Sequence, residues 1–166
     1  MFCLDNLLAR LNRIKIKNFE SSINFLLLHL ISGESENKMT KKVLYTLEFP
    51  VKCSPGILYE FLATPAGLQE WFADKVDERD GIYYFNWNGS EDKAEFLEKE
   101  IDKFIRFRWA HSQKEEFFEF RIEQTEISNQ TILVIKDFAD KKEVKDQSRL
   151  WEYQIKDLFH RLGSSN

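Results

Sequence analysis

The order of local signals constrains this chain more than any single motif does. A strand pattern comes first, then two short helices each opened by a proline, then strands joined by tight turns, and last one long amphipathic helix. Residues 43–49 (VLYTLEF) alternate and are rich in β-formers, and Pro50 closes the run. Ser54-Pro55 supplies an N-cap and a proline at the first helical position, where the missing N–H costs nothing. Ile57, Leu58, Phe61 and Leu62 then recur at helical spacing as a stripe to be buried. Thr64-Pro65 repeats the device, and Leu68, Trp71 and Phe72 form the apolar face of the second helix.

The middle of the chain changes period to two. A short edge strand is expected over 75–78, followed by the hairpin turn Asp80-Gly81, a strand over 82–87 (IYYFNW) and a second turn at Asn88-Gly89. Residues 93–100 alternate weakly, with Ala94 and Phe96 set against Glu95 and Leu97, and 101–103 turn the chain. In residues 104–109 (FIRFRW), Ile105, Phe107 and Trp109 share one face while Arg106 and Arg108 take the other. Loop residues 110–114 follow. Residues 117–127 repeat the pattern, with Phe118, Phe120 and Ile122 opposed to Glu119, Arg121 and Glu123. After a turn at 128–130, residues 131–138 (TILVIKDF) make the last strand. Turns this short make neighbouring strands antiparallel.

From 143 to 162 the period becomes 3.6. Val144, Trp151, Ile155, Leu158, Phe159 and Leu162 form one stripe, and Gly163 ends the helix. The apolar surface available to such a stripe is the face of the sheet, so the fold class is α+β, with the helix layered on an antiparallel sheet.

Residues 1–38 read differently. Arg10, Arg13, Lys15 and Lys17 precede a short apolar run at 23–31 (INFLLLHLI), then a polar stretch at 32–38 and Met39. Three readings stay open: an over-extended start with Met39 as the true first residue, a weak helical extension, or a secretory signal. The run is far short of the ~20 residues that span a bilayer, so no stable membrane insertion is expected. The single domain is expected over 40–163. A net charge of −4 gives no basic footprint for nucleic acid. Cys3 and Cys53 sit in unlike contexts and suggest no disulfide framework, which fits a reducing, cytoplasmic setting.

The segment at 54–72 (SPGILYEFLATPAGLQEWF), with the Asn88-Gly89 hairpin and a closing helix carrying Trp151, resembles START-like (SRPBCC) domains. It is most similar to those related to the C-terminal domain of the activator of heat-shock protein 90 ATPase. The resemblance covers roughly residues 40–163. It implies a helix-grip fold, a strongly curved antiparallel sheet wrapped around the C-terminal helix. It also implies binding of a lipid-like ligand, a cyclase-type activity, or binding of a partner protein such as a chaperone. Fold alone does not choose among these. The chain lacks the N-terminal domain of the eukaryotic activators, which argues against direct chaperone stimulation.

Chemistry-bearing residues are sparse. His29, His111 and His160 have no metal-ligand spacing, and no cofactor is implied. Neither a glycine-rich phosphate loop nor a nucleophile elbow occurs. Cys53 precedes a helix start, where the helix dipole could lower its pKa, but no histidine is placed to partner it. Glu95 is the carboxylate considered for general acid–base work, and Glu115, Glu119 and Glu123 are expected on a solvated sheet face interleaved with Arg121.

Aromatic content is the remaining clue: 14% of residues, including 15 Phe and 4 Trp. These side chains either fill the core or wall a cavity between sheet and helix. The candidate walls are Trp71, Phe72, Trp109, Phe118, Phe120, Trp151 and Ile155. The expectation is a non-enzymatic domain holding a small hydrophobic or amphipathic molecule. A cavity of roughly 300 Å³ or more would support it, and an interior packed solid with Phe and Trp would count against it.

Overall fold

Caps and turns set the element boundaries. The computed structural model describes residues 42–163; the alternatives for residues 1–38 lie outside the described residues. Strand β1 (Val43–Val51) is followed by helices α1 (Pro55–Ala63) and α2 (Pro65–Trp71). Ser54 Oγ accepts from the Ile57 N–H at 3.4 Å, a long contact, and Thr64 Oγ1 accepts from the Gly67 N–H at 2.9 Å. Proline stands at the start of both helices, as the spacing predicts.

Strands β2 (Lys75–Arg79), β3 (Ile82–Trp87), β4 (Ser90–Glu100), β5 (Phe104–Trp109), β6 (Phe118–Gln124) and β7 (Thr131–Ala139) come next, and helix α3 (Val144–Arg161) closes the chain. The turns between them need positive φ. Asp80 and Gly81 have φ of 53° and 79°, and Asn88 and Gly89 have 50° and 83°, as Asx-Gly hairpins require. Strand β4 begins earlier than the pattern indicates. Strand β6 is shorter at both ends than 117–127, because Thr125 and Gln130 close a turn on themselves.

The strands form one seven-stranded antiparallel sheet in the order β1-β7-β6-β5-β4-β3-β2. The α1–α2 pair therefore carries the chain from one edge of the sheet to the other. A register shift between Phe96 and Glu98 marks a bulge in β4, a device that bends a strand. Together with α3 this is the α+β helix-grip arrangement.

Gly67 makes the α1–α2 corner possible. A Cβ there would lie 2.1 Å from Glu60 O and 2.6 Å from Phe61 Cα, so only glycine lets the two helices approach this closely. Helix α3 buries Leu150, Trp151, Gln154, Ile155 and Leu158. Val144, Phe159 and Leu162, expected in the stripe, are only partly buried, whereas Leu150 and Gln154 join it.

The outer face of the sheet departs from expectation. Glu119 is fully buried rather than solvated. Cross-strand register lines up Glu98, Arg106, Glu119, Lys136 and Thr46 in one row over five strands. Glu119 accepts from Arg106 Nε at 2.8 Å and Arg121 Nε at 2.7 Å, and lies 3.3 Å from Lys136 Nζ. The guanidinium groups lie over aromatic rings, Arg106 above Phe117 and Arg121 above Phe104. Long cationic side chains thus cover a carboxylate that strand alternation assigns to water. Burial raises its pKa, but the hydrogen bonds from Arg121 and Arg106 outweigh that and hold the carboxyl below its usual value.

Candidate ligand pocket

The inner face of the sheet is aromatic, and the side chains expected to wall a cavity meet one another there. Trp71, Phe72, Phe118, Phe120, Trp151 and Ile155 are buried, and Trp109 is partly buried. Phe72, delivered by the end of α2, occupies the middle. Its ring stacks on Trp151 at 5.8 Å and 10°, and meets Phe85, Trp87 and Phe120 edge-on. Trp109 and Phe118 stack at 4.6 Å. Offset and edge-on pairs of this kind add to what burial alone contributes.

Three indole N–H groups are anchored within this cluster. Trp71 Nε1 donates to Phe61 O at 2.9 Å, Trp87 Nε1 to Phe72 O at 2.6 Å, and Trp151 Nε1 to Asp137 Oδ2 at 3.0 Å. Among the described residues, aromatic rings fill the space between sheet and α3.

Open volume appears at one end of the fold, where β1 begins, β7 ends, the β5–β6 loop crosses and α3 starts. A cleft of about 90 Å³ there is lined by Trp87, Trp109, Phe117 and Phe138 on its apolar side. Its polar side carries Asp92, Glu116, Asp137, Asp140 and Glu143, with Lys42 and His111 as the basic groups. Asp137 is the best anchored: Oδ2 accepts from Tyr45 Oη at 3.1 Å as well as from Trp151, and Oδ1 accepts from the Phe138 N–H at 2.8 Å. Lys42 Nζ reaches Glu116 at 2.8 Å, and His111 Nδ1 lies 3.7 Å from Asp92. The positive end of α3 helps hold this many carboxylates together. Glu143 sits at the rim, where partial desolvation and then Asp140 push its pKa up while Lys42 opposes.

Of the cleft residues, only Trp109 stands among the walls predicted from sequence. Asp137 carried a usable signal. It follows Leu133 and Ile135 at a spacing of two, so its carboxylate falls on the inward parity of β7. Asp92 from the start of β4, Glu116 from the β5–β6 loop and the pair Asp140 and Glu143 from the β7–α3 turn are united by the tertiary fold.

The residues weighed for catalysis are dispersed. Burial pushes the Cys53 thiol up, against a smaller downward effect from the Leu58 backbone N–H, so the helix start does not activate it. Glu95 lies on the outer face and pairs with Arg108 at 2.6 Å. His160 is exposed near the end of α3, and His29 is outside the described residues. Among the described residues, no group of His, Cys, Asp and Glu could hold a metal ion.

A family model for the START-like superfamily domain matches residues 39–164. The chain belongs to the START-like superfamily. Similar START-like folds have been solved. The solution structure of BfR322 from Bacteroides fragilis is 30% identical, covers 76% of this chain and 94% of its own, and superposes with a TM-score of 0.56. The Aha1 dimer from Colwellia psychrerythraea is 19% identical, with 70% and 92% covered and a TM-score of 0.58. Protein MLL2253 from Mesorhizobium loti is 18% identical, with 75% and 99% covered and a TM-score of 0.60. The latter two likenesses carry the fold alone. No curated protein matches the chain.

Proposed function

We propose that this START-like domain is a non-catalytic, cytoplasmic binding module. Its ligand is a small amphipathic molecule with a cationic end, taken at the cleft beside the start of α3. The observation that carries the proposal is the lining of that cleft: carboxylates of Asp92, Glu116, Asp137, Asp140 and Glu143 opposite the rings of Trp87, Trp109, Phe117 and Phe138. Carboxylates attract the charged end, and the aromatic faces suit both an ammonium group and an apolar body.

The volume, about 90 Å³, is well below the ~300 Å³ of even a small drug-sized site, so a lipid-sized ligand enters only if the interior opens. In the proposal Trp109 is the wall the ligand meets first. Trp71, Phe72, Phe118, Phe120, Trp151 and Ile155 stand behind it and become walls as it moves. Tryptophan fluorescence titration with alkyltrimethylammonium ions and with alkyl sulfates of equal chain length tests this. The ammonium series should bind, and Asp137→Asn combined with Asp140→Asn should weaken it. Equal binding of both series, or of neither, would refute it.

A protein-contact role is the second reading. It is favoured by Ile57 and Ile101, both exposed, on segments brought together where Gly56 faces Asp102 at the opposite end of the fold. Binding to a purified Hsp90-type chaperone that is lost in Ile57→Glu with Ile101→Glu would support it.

A further inference from the structure

We propose that the edge of β1, which pairs with no further strand among the described residues, pairs with β1 of a second copy of this chain, joining two sheets into one. The two edges of the sheet are treated very differently. Strand β2 is five residues long and blunted by Lys75, Asp77, Glu78 and Arg79, the usual protection against edge pairing. Strand β1 runs nine residues with no basic side chain, and Val43 and Leu44 are exposed on it.

Pro50 fixes which backbone groups face outward. It lies opposite Ile132 on β7 and has no N–H to give, so its position is a non-bonded one. By alternation Phe49, Leu47 and Tyr45 bond β7, while Leu44, Thr46 and Glu48 point their N–H and C=O groups away from it. The same alternation carried through β7 and β6 aims the Ile122 N–H at the β5 side, where it meets Lys103 O at 2.6 Å.

These outward groups suit a two-fold partner with its axis at Thr46. Thr46 then faces its own copy and Leu44 faces Glu48 on the outer side, while Tyr45 faces Leu47 and Val43 faces Phe49 on the inner side. No like charges oppose one another, and the half-buried Tyr45, Leu47 and Phe49 gain apolar cover. An axis at Leu47 would set Leu44 against Pro50, which cannot donate. An axis at Tyr45 would set Glu48 opposite Lys42, outside β1, and pair fewer residues of the strand.

A strand-to-strand contact lies at the small end of interface size, so the dimer should be weak and populate as the full chain is concentrated toward about 100 µM. Sedimentation velocity across a dilution series reads it, and the Leu44, Thr46 and Glu48 amides should gain protection from hydrogen exchange as the dimer forms. Leu44→Glu puts glutamates opposite each other twice and should weaken association about tenfold, whereas Leu44→Lys faces Glu48 and should retain or strengthen it. The double variant Leu44→Glu/Glu48→Lys should recover what Leu44→Glu loses. Thermal melts of each variant confirm the fold, since both positions are exposed. A chain that stays monomeric throughout overturns the proposal, as does equal weakening by Leu44→Glu and Leu44→Lys. Association that leaves the three amides unprotected also overturns it.

Discussion

Replacing Glu119 by glutamine removes one charge and almost no volume, at the centre of the row that crosses the sheet. The carboxylate is 0% exposed and is held by Arg106, Arg121 and Lys136. Breaking a buried ion pair costs about 3–5 kcal/mol when the stranded charge stays buried. Here the stranded cations are 28%, 26% and 31% exposed and can take up water, and Arg106 keeps Glu98 at 3.4 Å. Glutamine also still accepts a hydrogen bond. The loss should therefore be about 2–3 kcal/mol at neutral pH, or a fall in Tm of about 8–15 °C for a domain of this size. The pH dependence gives an independent sign. Because the folded carboxyl titrates below its ordinary value of 4.5, its contribution is complete above that value and is lost as pH falls through the folded pKa. The stability gap between wild type and Glu119→Gln, read by urea denaturation, should be full at pH 7 and close in acid. A gap under about 0.5 kcal/mol at pH 7 would place the residue among ordinary surface positions and refute the reasoning. A gap that persists undiminished to about pH 3 would show that charge is not its origin.

Other perturbations test the packing. Tyr59→Phe should leave stability unchanged or raise it by up to about 1 kcal/mol in thermal melts, because Tyr59 Oη is buried with no hydrogen-bond partner among the described residues. Gly67→Ala should cost about 2–3 kcal/mol by the same measurement, since the new methyl meets backbone atoms of Glu60 and Phe61 that cannot move independently. Phe72→Ala should cost about 3–5 kcal/mol and leave an apolar void that takes up benzene, detectable as ligand-dependent recovery of Tm.

Much of the architecture was legible because it rests on local rules. The Ser54-Pro55 and Thr64-Pro65 starts, the Asp80-Gly81 and Asn88-Gly89 turns and the alternation of Phe118, Phe120 and Ile122 each have a backbone or parity cause within a few residues. Glu119 shows where such rules stop. Alternation places it on the outer face, and so it is, but burial there depends on Arg106 from one strand and Lys136 from another folding over it. The extent of the interior cavity was beyond reach for a similar reason. Inward-facing aromatics on the strands look the same whether a cavity is open or closed. The difference is made by Phe72, which arrives from α2 and not from any strand.

That single delivery also explains where the cleft lies. Phe72 and Trp151 stack in the middle of the grip, and the Trp151 indole is tied to Asp137, which in turn holds Tyr45 of the edge strand. With the centre filled, the cleft lies beyond Asp137, at the end where β7 stops and α3 begins. There the inward positions of the strands are no longer all apolar: Asp92 on β4 lies next to Ala94 in the inward row, and Asp137 on β7 follows Leu133 and Ile135. The closed core and the acidic cleft thus share one cause. Inward parity continues past the reach of the buried cluster, and the residues that occupy it change from apolar side chains to carboxylates. Asp137 belongs to both regions, so Asp137→Ala should loosen the Trp151 stack and alter the cleft together, whereas Glu143→Gln, at the rim, should leave the core untouched.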